Sequence, residues 1–86
     1  MKLYYVYVLR SQLHPKQIYI GYTEDLQGRI NQHNAGQSLH TSKFAPWDCM
    51  VALRFPTKGI AVTFERYLKT GSGRAFLKRH FLPSDN

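Results

Sequence analysis

Cysteine is almost absent from this chain. Cys49 is the single cysteine among 86 residues, so an intrachain disulfide is excluded and a reducing compartment is expected. The residues around it, Asp48–Leu53, have the composition of a strand, and we expect Cys49 to be a small buried hydrophobic side chain. A nucleophilic cysteine needs a neighbouring base, and the local sequence supplies none.

Long hydrophobic runs are missing as well. A transmembrane helix needs about 20 consecutive apolar residues, and no segment approaches that length. The N-terminus, Met1-Lys2 followed by a strand-like segment, shows no pattern of a signal or transit peptide. We therefore expect a cytoplasmic protein with no membrane partner.

Acidic residues are scarce. The 12 Lys and Arg against 5 Asp and Glu give a net charge of +7 and a pI near 9.9. This excess favours a polyanionic partner, nucleic acid first and an anionic membrane surface second, with a merely basic soluble protein as the alternative. A metal centre of many clustered carboxylates is hard to assemble from so small a set. The acidic residues are Glu24, Asp25, Asp48, Glu65 and Asp85.

What the chain does contain predicts one small domain over residues 1–82, with residues 83–86 as a frayed tail. Aromatic and β-branched residues fill Leu3–Arg10, and because both faces of this strand are apolar we expect it to be central. Two further strands are expected at Gln17–Tyr22 and Trp47–Phe55. A layer of sheet packed against helices follows from these elements.

The first predicted helix follows the second strand. Thr23 is a candidate N-cap, with Glu24 and Asp25 in the first turn, where acidic side chains are favourable. The helix is expected to stop near Gly36, which suits the position just after a helix end.

The second predicted helix spans Lys58–Thr70, with Thr57 as its cap. Gly71 and Gly73 then interrupt the helical pattern, and a short C-terminal helix is expected over Arg74–His80. The apolar stripe of the second helix, which should face the core, consists of Ile60, Phe64, Tyr67 and Leu68.

The second strand and the helix after it bring together an unusual set of side chains. Tyr19 lies on the strand, while Arg29 and His33, spaced i,i+4, share one edge of the helix. Gly21 permits a bulge or a close approach to the backbone. Folding alone does not require a phenol, a guanidinium and an imidazole in this arrangement, so we interpret the segment as a candidate functional site.

Phosphodiester hydrolysis is one reaction that these residue types can support. It needs a group that deprotonates water, a Lewis acid on the phosphate and a cation for the developing charge. Arg29 suits the cation role, because its guanidinium matches two phosphate oxygens and stays ionised; a surface pair with Asp25 is the alternative. Glu65 is the natural ligand for one Mg²⁺ completed by water and substrate phosphate; an i,i+4 pair with Lys69 is the alternative.

The base that activates water is left open by the sequence. His33 titrates near neutral pH, and Tyr7 and Tyr19 are the other candidates. A free phenol titrates near pH ~10, so a tyrosine base needs a neighbouring metal and Arg29 to lower its pKa. The alternatives are that the tyrosines only pack the core and that His33 is a cation at a helix C-terminus.

Taken together, these residues resemble the GIY-YIG nuclease superfamily. The matching residues are Tyr5-Val6-Tyr7, Tyr19-Ile20-Gly21, Arg29, His33 and Glu65. The resemblance extends from Leu3 to about His80. It is to small stand-alone bacterial proteins that are little more than this domain, similar to the N-terminal domain of excision-repair nucleases. Tyr5 departs from the pattern, which has glycine there.

The resemblance implies an α+β fold with a three-stranded antiparallel sheet flanked by helices. It also implies a metal-dependent DNA endonuclease, acting on DNA structures in repair or recombination, with a single Mg²⁺ or Mn²⁺ on Glu65. Tyr7 and Tyr19 would lie beside the scissile phosphate, and one of them or His33 would activate water. Arg29 would stabilise the transition state. Larger relatives add DNA-binding domains, so a protein partner is expected to supply target specificity.

A further set of basic residues offers candidate contacts to the DNA phosphate backbone. They are Arg10, Lys43, Arg74, Lys78 and Arg79. Two other functions stay open on the sequence alone. One is a non-catalytic nucleic-acid-binding module on the same fold, and the other is a protein-interaction domain whose charge is incidental.

Overall fold

The computed structural model describes residues 2–83 and shows a three-stranded antiparallel sheet with helices on both sides. The strands are β1 (Tyr4–Ser11), β2 (Ile18–Thr23) and β3 (Trp47–Phe55), and the helices are α1 (Leu26–Asn34), α2 (Lys58–Leu68) and α3 (Gly71–His80). A short 3₁₀ turn, Ser42–Phe44, precedes β3. The predicted α+β architecture is confirmed. Of the predicted tail at 83–86, residues 84–86 lie outside the described residues.

β1 is the central strand, as its two apolar faces predict. It pairs antiparallel with β2 and with β3, which gives the order β2-β1-β3. Val8 pairs with Val51. The next residue, Leu9, pairs with Cys49, so Met50 is an extra residue that forms a β-bulge in β3.

Alternation of side chains along β1 divides the interior into two clusters, one on each side of the sheet. The α2–α3 core contains Val6, Val8, Ile20, Ala61, Leu68 and Leu77. The α1 core contains Tyr7, Leu9 and Trp47, with Tyr19, Leu26, Ile30, Phe44 and Ala45 packed against it. β1 therefore contributes side chains to both cores, and the candidate residues Tyr7 and Tyr19 belong to the α1 core.

The start of α1 differs from the prediction. Thr23 is not its cap but the last residue of β2, where its hydroxyl accepts a hydrogen bond from the Asp25 N–H at 3.0 Å. Asp25 is the N-cap, and its carboxylate accepts from the Gly28 N–H at 3.1 Å. Glu24 and Asp25 therefore precede the first turn. Threonine and aspartate are both good caps, so local sequence did not separate them. At the other end, Gly36 has φ of 74°, as predicted for a helix stop.

α2 has the predicted cap, because the Thr57 side chain accepts from the Ile60 N–H at 3.2 Å. Its predicted apolar stripe is partly wrong, since Ile60 and Tyr67 are 51% and 39% exposed. The buried residues are Ala61 and Leu68. Ile60 and Tyr67 each precede one of them, and one residue turns the side chain by about 100° around the helix axis. They therefore lie at the edge of the contact rather than inside it.

α3 begins at Gly71, earlier than predicted, because the Thr70 side chain accepts from the Gly73 N–H at 3.1 Å and caps the helix. Gly73 does not break the helix. A Cβ there would collide with the backbone carbonyl oxygen of Tyr67, so glycine lets α3 pack closely on the end of α2. Within residues 2–83, no helix has the length and apolar character needed to cross a membrane.

Cys49 is exposed, so its predicted burial is wrong. The strand prediction around it was correct, but β3 is an edge strand and the bulge lies at the next residue, Met50. A strand assignment gives no side-chain burial unless the position of the strand in the sheet is known.

Candidate active site

Tyr7 lies at the centre of the α1 core and is 1% exposed. Its partner across the β1–β2 ladder is Gly21. A Cβ on Gly21 would overlap the Tyr7 hydroxyl and would lie 2.8 Å from ring carbon Cε1. The phenol therefore lies over the glycine, which accounts for the close approach that the sequence allowed.

The Tyr7 hydroxyl is hydrogen-bonded to the imidazole of His33. Its Nε2 is 2.9 Å from the Tyr7 oxygen, and its Nδ1 is 2.8 Å from the hydroxyl oxygen of Thr41. The ring is 1% exposed. Burial, followed by the positive charge of Arg29, lowers the pKa of His33, so the imidazole is neutral at neutral pH. The lowered pKa disfavours the alternative interpretation, a cation at a helix C-terminus.

Tyr19 completes a cluster of three rings. Its ring centroid is 6.1 Å from that of Tyr7 and 4.7 Å from that of His33. It lies on β2 opposite Leu9, is half-buried, and packs against the α1 core. The structure thus brings two strand tyrosines and a helix histidine into mutual contact.

Arg29 is the exposed charge nearest to this cluster along α1. It lies one helical turn before His33 and acts electrostatically on both His33 and Tyr7, lowering the pKa of each. In the described part of the chain it forms no ion pair. Asp25, its alternative partner, uses its carboxylate to cap α1. The guanidinium is therefore available for an anion beside the rings.

The pKa of the Tyr7 phenol lies well above its ordinary value. Burial is the main cause, and the neighbouring Tyr19 raises it further. Arg29 acts in the opposite direction, as expected, but does not outweigh burial, and Glu65 adds a smaller increase. Tyr7 is therefore a neutral hydroxyl donor at rest. Before it can act as a base its proton must move elsewhere, and His33 Nε2 lies within hydrogen-bonding distance.

Glu65 lies on α2 with its side chain 18% exposed, and its Oε2 is 3.0 Å from the Lys69 ammonium. The i,i+4 pair is therefore present. The same carboxylate makes a small contribution to the raised pKa of Tyr7, so it acts electrostatically on the phenol. Residues 2–83 contain no group of three or more His, Cys, Asp and Glu that could hold a metal ion. A bound ion would thus have one carboxylate from this chain, with water and phosphate completing its ligands, and oxygen ligands of this kind suit Mg²⁺ or Mn²⁺.

The candidate DNA contacts do not form one surface. Arg10 and Lys78 line a cavity of about 570 Å³ together with Lys16, on the side of the α2–α3 core. Lys43 lies on the opposite side, where its ammonium is 5.3 Å from the centroid of the Phe44 ring. The remaining candidates, both exposed on α3, are Arg74 and Arg79.

Thr41 is the polar residue of the site that sequence reasoning missed. It is 1% exposed, and the segment that holds it is fixed to β3. The Asn34 carboxamide accepts from the Trp47 N–H at 2.6 Å, and the Trp47 indole N–H donates to the Thr41 carbonyl oxygen at 3.0 Å. Trp47 thus anchors this segment to β3 and to the α1 core. No local signal distinguishes Thr41 from the other hydroxyl residues of this polar segment.

The chain is similar to several known proteins. The family model of the GIY-YIG catalytic domain matches residues 3–79. The chain is 43% identical over 74 residues to the structure-specific endonuclease subunit SLX1 of Debaryomyces hansenii, a match that covers 77% of this chain and 21% of that protein. It is 41% identical over 71 residues to the SLX1 homolog of Drosophila mojavensis, covering 72% of this chain and 23% of that protein. This chain spans about a fifth of the length of these relatives.

A solved structure shows the same fold. The solution NMR structure of the UPF0213 protein BH0048 from Bacillus halodurans matches with a TM-score of 0.55 and 28% sequence identity, over 90% of this chain and 83% of that one. The family match covers both tyrosines, the arginine, the histidine and the glutamate that the sequence singled out. The chain therefore belongs to the GIY-YIG family.

Proposed function

We propose that this chain is a metal-dependent endonuclease that hydrolyses phosphodiester bonds in DNA and selects its target by DNA structure. The observation that supports this most directly is the buried hydrogen bond between the Tyr7 hydroxyl and His33 Nε2, formed beside the exposed guanidinium of Arg29. The names of the matched relatives, structure-specific endonuclease subunits, indicate the same activity. The net charge of +7 suits a polyanionic substrate.

The proposed proton path runs through two residues. Tyr7 donates its hydroxyl proton to Nε2 of the neutral His33, and the resulting phenolate accepts a proton from a water molecule. The hydroxide so formed attacks phosphorus, and charge increases on the phosphate oxygens. The bond to the leaving oxygen breaks, that oxygen takes a proton from solvent water, and His33 returns its proton to solvent. Arg29 stabilises that charge, because a guanidinium can donate to two phosphate oxygens at once. Tyr19, which packs against both rings, fixes their orientation at the reacting phosphate.

Glu65 is the residue that would hold the metal. A single Mg²⁺ or Mn²⁺ at its carboxylate would supply Lewis-acid stabilisation of the phosphate. Lys69 orients Glu65 and competes for one carboxylate oxygen at 3.0 Å. We expect this ion pair to loosen when a divalent cation binds.

Target selection is proposed to need a second protein. The relatives are named as subunits, and this chain corresponds to about a fifth of their length. The basic residues Arg10, Lys43 and Lys78 lie on both sides of the sheet, so they provide backbone contacts without a single reading surface. We propose that they and the α3 arginines position DNA, while a protein partner supplies most of the specificity.

The test is cleavage of labelled flap, nicked, branched and linear duplex DNA with Mg²⁺, Mn²⁺ or EDTA. Cleavage of the branched substrates that is lost in EDTA is the expected result. Glu65→Gln and Arg29→Gln should each reduce the rate by about 100-fold or more. Arg66→Gln, an exposed arginine on α2, is the matched control and should cut normally. Unchanged cleavage by the Glu65 and Arg29 variants would show that another site is responsible.

The second candidate function is a DNA-binding module that does not cut. The observation in its favour is the positive charge, which alone is sufficient for phosphate contacts. This function predicts binding that weakens with salt and is the same for wild type and Glu65→Gln, together with no cleavage of any substrate by either protein.

A further inference from the structure

Thr41 contacts the proposed proton path without touching the reacting atoms. Its hydroxyl oxygen is 2.8 Å from Nδ1 of His33, on the side of the ring away from Tyr7, whose hydroxyl contacts Nε2. Both Thr41 and His33 are 1% exposed. Water is therefore excluded from Nδ1, and the Thr41 hydroxyl is the hydrogen-bond partner of that nitrogen.

The neutral imidazole has one N–H donor and one lone pair, and its partners decide which nitrogen bears the proton. If Nδ1 is protonated, it donates to the Thr41 hydroxyl oxygen, and the Nε2 lone pair accepts from the Tyr7 hydroxyl. If Nε2 is protonated, it donates to the Tyr7 oxygen and has no lone pair for the Tyr7 proton, while Nδ1 accepts from the Thr41 hydroxyl, which can donate as well as accept. Only the first tautomer can take the proton from Tyr7.

The first tautomer also needs no rearrangement during proton transfer. Once His33 has accepted the Tyr7 proton, both ring nitrogens are donors. The Nδ1–H then continues to donate to the Thr41 oxygen, and this charge-assisted hydrogen bond is stronger than the neutral one. Thr41 therefore stabilises the state in which Tyr7 is ionised.

Thr41 is held in place by its backbone, not by its hydroxyl. Its N–H donates to the Ser38 carbonyl at 3.2 Å, and its carbonyl accepts from the Phe44 N–H at 3.1 Å and from the Trp47 indole at 3.0 Å. The hydroxyl is therefore not needed to hold this segment in place, and it hydrogen-bonds to the His33 imidazole. A substitution that removes only the hydroxyl leaves these backbone contacts intact.

We propose that Thr41 is a positioning residue that keeps the proton of His33 on Nδ1, so that the Nε2 lone pair faces the Tyr7 hydroxyl. This role rests on the proposed function, because it matters for turnover only if His33 accepts the Tyr7 proton. The tautomer itself is a property of the protein without DNA, and it can be tested separately.

The first experiment measures the tautomer of His33 by long-range ¹H–¹⁵N NMR correlations in the labelled protein without DNA, with assignment from a His33→Gln variant. Wild type and Thr41→Ser should carry the proton on Nδ1. Thr41→Val has the same shape without the hydroxyl and should shift the population toward Nε2–H. A wild-type ring protonated at Nε2, or a tautomer that is the same in Thr41→Val, overturns the proposal.

The second experiment measures single-turnover cleavage and DNA binding for the same variants. Thr41→Val should lower the cleavage rate by about tenfold to a hundredfold, the range expected for one hydrogen bond to a charged group. DNA affinity should stay within about twofold, and Thr41→Ser should restore most of the rate. Emission of the single tryptophan, which bonds to the Thr41 backbone, reports whether the segment keeps its fold.

The two experiments separate the two proposals. If wild type cuts no DNA, the proposed function fails, while the NMR result still decides the role of Thr41. If wild type cuts DNA and Thr41→Val cuts equally fast with its fold intact, the positioning role is wrong and the endonuclease activity stands.

Discussion

The two sides of the sheet differ in how they are filled, although β1 supplies both. The α2–α3 core consists only of apolar residues in the described chain. The buried polar residues all lie on the α1 side or at its margin. They are Ser11, Thr23, His33 and Thr41. The buried polar residues of the candidate site therefore lie on the α1 side, and Glu65 is the one candidate catalytic residue carried by α2.

This asymmetry has an energetic reason. Apolar burial on the α2–α3 side contributes roughly 25 cal/mol per Å², whereas a buried polar group costs free energy unless it is hydrogen-bonded. On the α1 side every buried polar side-chain atom within residues 2–83 has a partner. Tyr7, His33 and Thr41 satisfy one another in a chain, so an imidazole is kept neutral and oriented inside the protein without an unpaired group.

The largest effect is expected from Tyr7→Phe, which removes one oxygen from the α1 side. We expect cleavage to fall by about 100- to 10,000-fold, the usual contribution of a positioned acid or base. The free energy of unfolding should fall by only about 1–3 kcal/mol, because one buried hydrogen bond is lost. Cleavage rates and urea unfolding measure the two quantities.

Tyr22→Phe is the matched control, since Tyr22 packs against the α2–α3 core and its hydroxyl donates to Glu24 near the surface. It should cut DNA at the wild-type rate. An equal loss of activity in both variants would remove the distinction between the two sides.

Leu68→Ala, on the α2–α3 side, is expected to lower stability and to leave the cleavage rate unchanged, which is the reverse of Tyr7→Phe. Leu68 is 1% exposed, and removing a buried leucine side chain typically costs about 2–5 kcal/mol. Stability measured by urea unfolding should fall by that amount, while the cleavage rate per folded molecule should stay close to that of wild type. A large loss of rate in the folded variant would show that this core also shapes the site.

Gly21→Ala tests the close contact between β2 and the Tyr7 ring. The added Cβ would overlap the phenol, so the ring must move from His33, with a stability cost of about 1–3 kcal/mol and a loss of cleavage of tenfold or more. Gly59→Ala on α2 is the control, because nothing lies within 4 Å of its added Cβ, and it should stabilise slightly. If Gly21→Ala cut DNA at the wild-type rate, the position of the ring over the glycine would be irrelevant to activity.

The smallest effect is expected in the pH dependence of kcat/KM. Protonation of His33 occupies the Nε2 lone pair, so activity is present above the pKa of the folded protein and is lost as the pH falls through it. Burial and Arg29 lower this pKa below its ordinary value of 6.5, and the acidic limb should therefore lie below pH 6.5. Removing the charge in Arg29→Gln raises the pKa and should move the limb upward, whereas Arg66→Gln should not. An unmoved limb in Arg29→Gln would mean that another group titrates.

Much of the fold follows from local sequence. Alternation and β-branched residues defined β1 and β3, and Thr57 capped α2 as predicted. The errors arose where local signals were equivalent. Threonine and aspartate compete as caps before α1, and the exposure of Cys49 depends on β3 being an edge strand. The cap of α1 and the exposure of Cys49 are decided by contacts with residues that are distant in sequence.

The candidate site was predictable as a set of residues but not as an arrangement. The residue types and spacing, together with the resemblance to the GIY-YIG superfamily, selected Tyr7, Tyr19, Arg29 and His33. They did not show that Tyr7 is buried with a raised pKa, because that depends on packing against the α1 core. They also gave no reason to select Thr41, whose segment looks like any polar loop.

The sequence by itself determined which side chains could do chemistry here and which elements carry them, because helix and strand periodicity, caps and charge are local properties. Tertiary structure alone decided that the Tyr7 hydroxyl meets an imidazole 26 residues away and that this imidazole meets Thr41. The physical reason is that a buried hydrogen bond depends on the direction of both partners. That direction is set by the register of the sheet and by the packing of α1 against it.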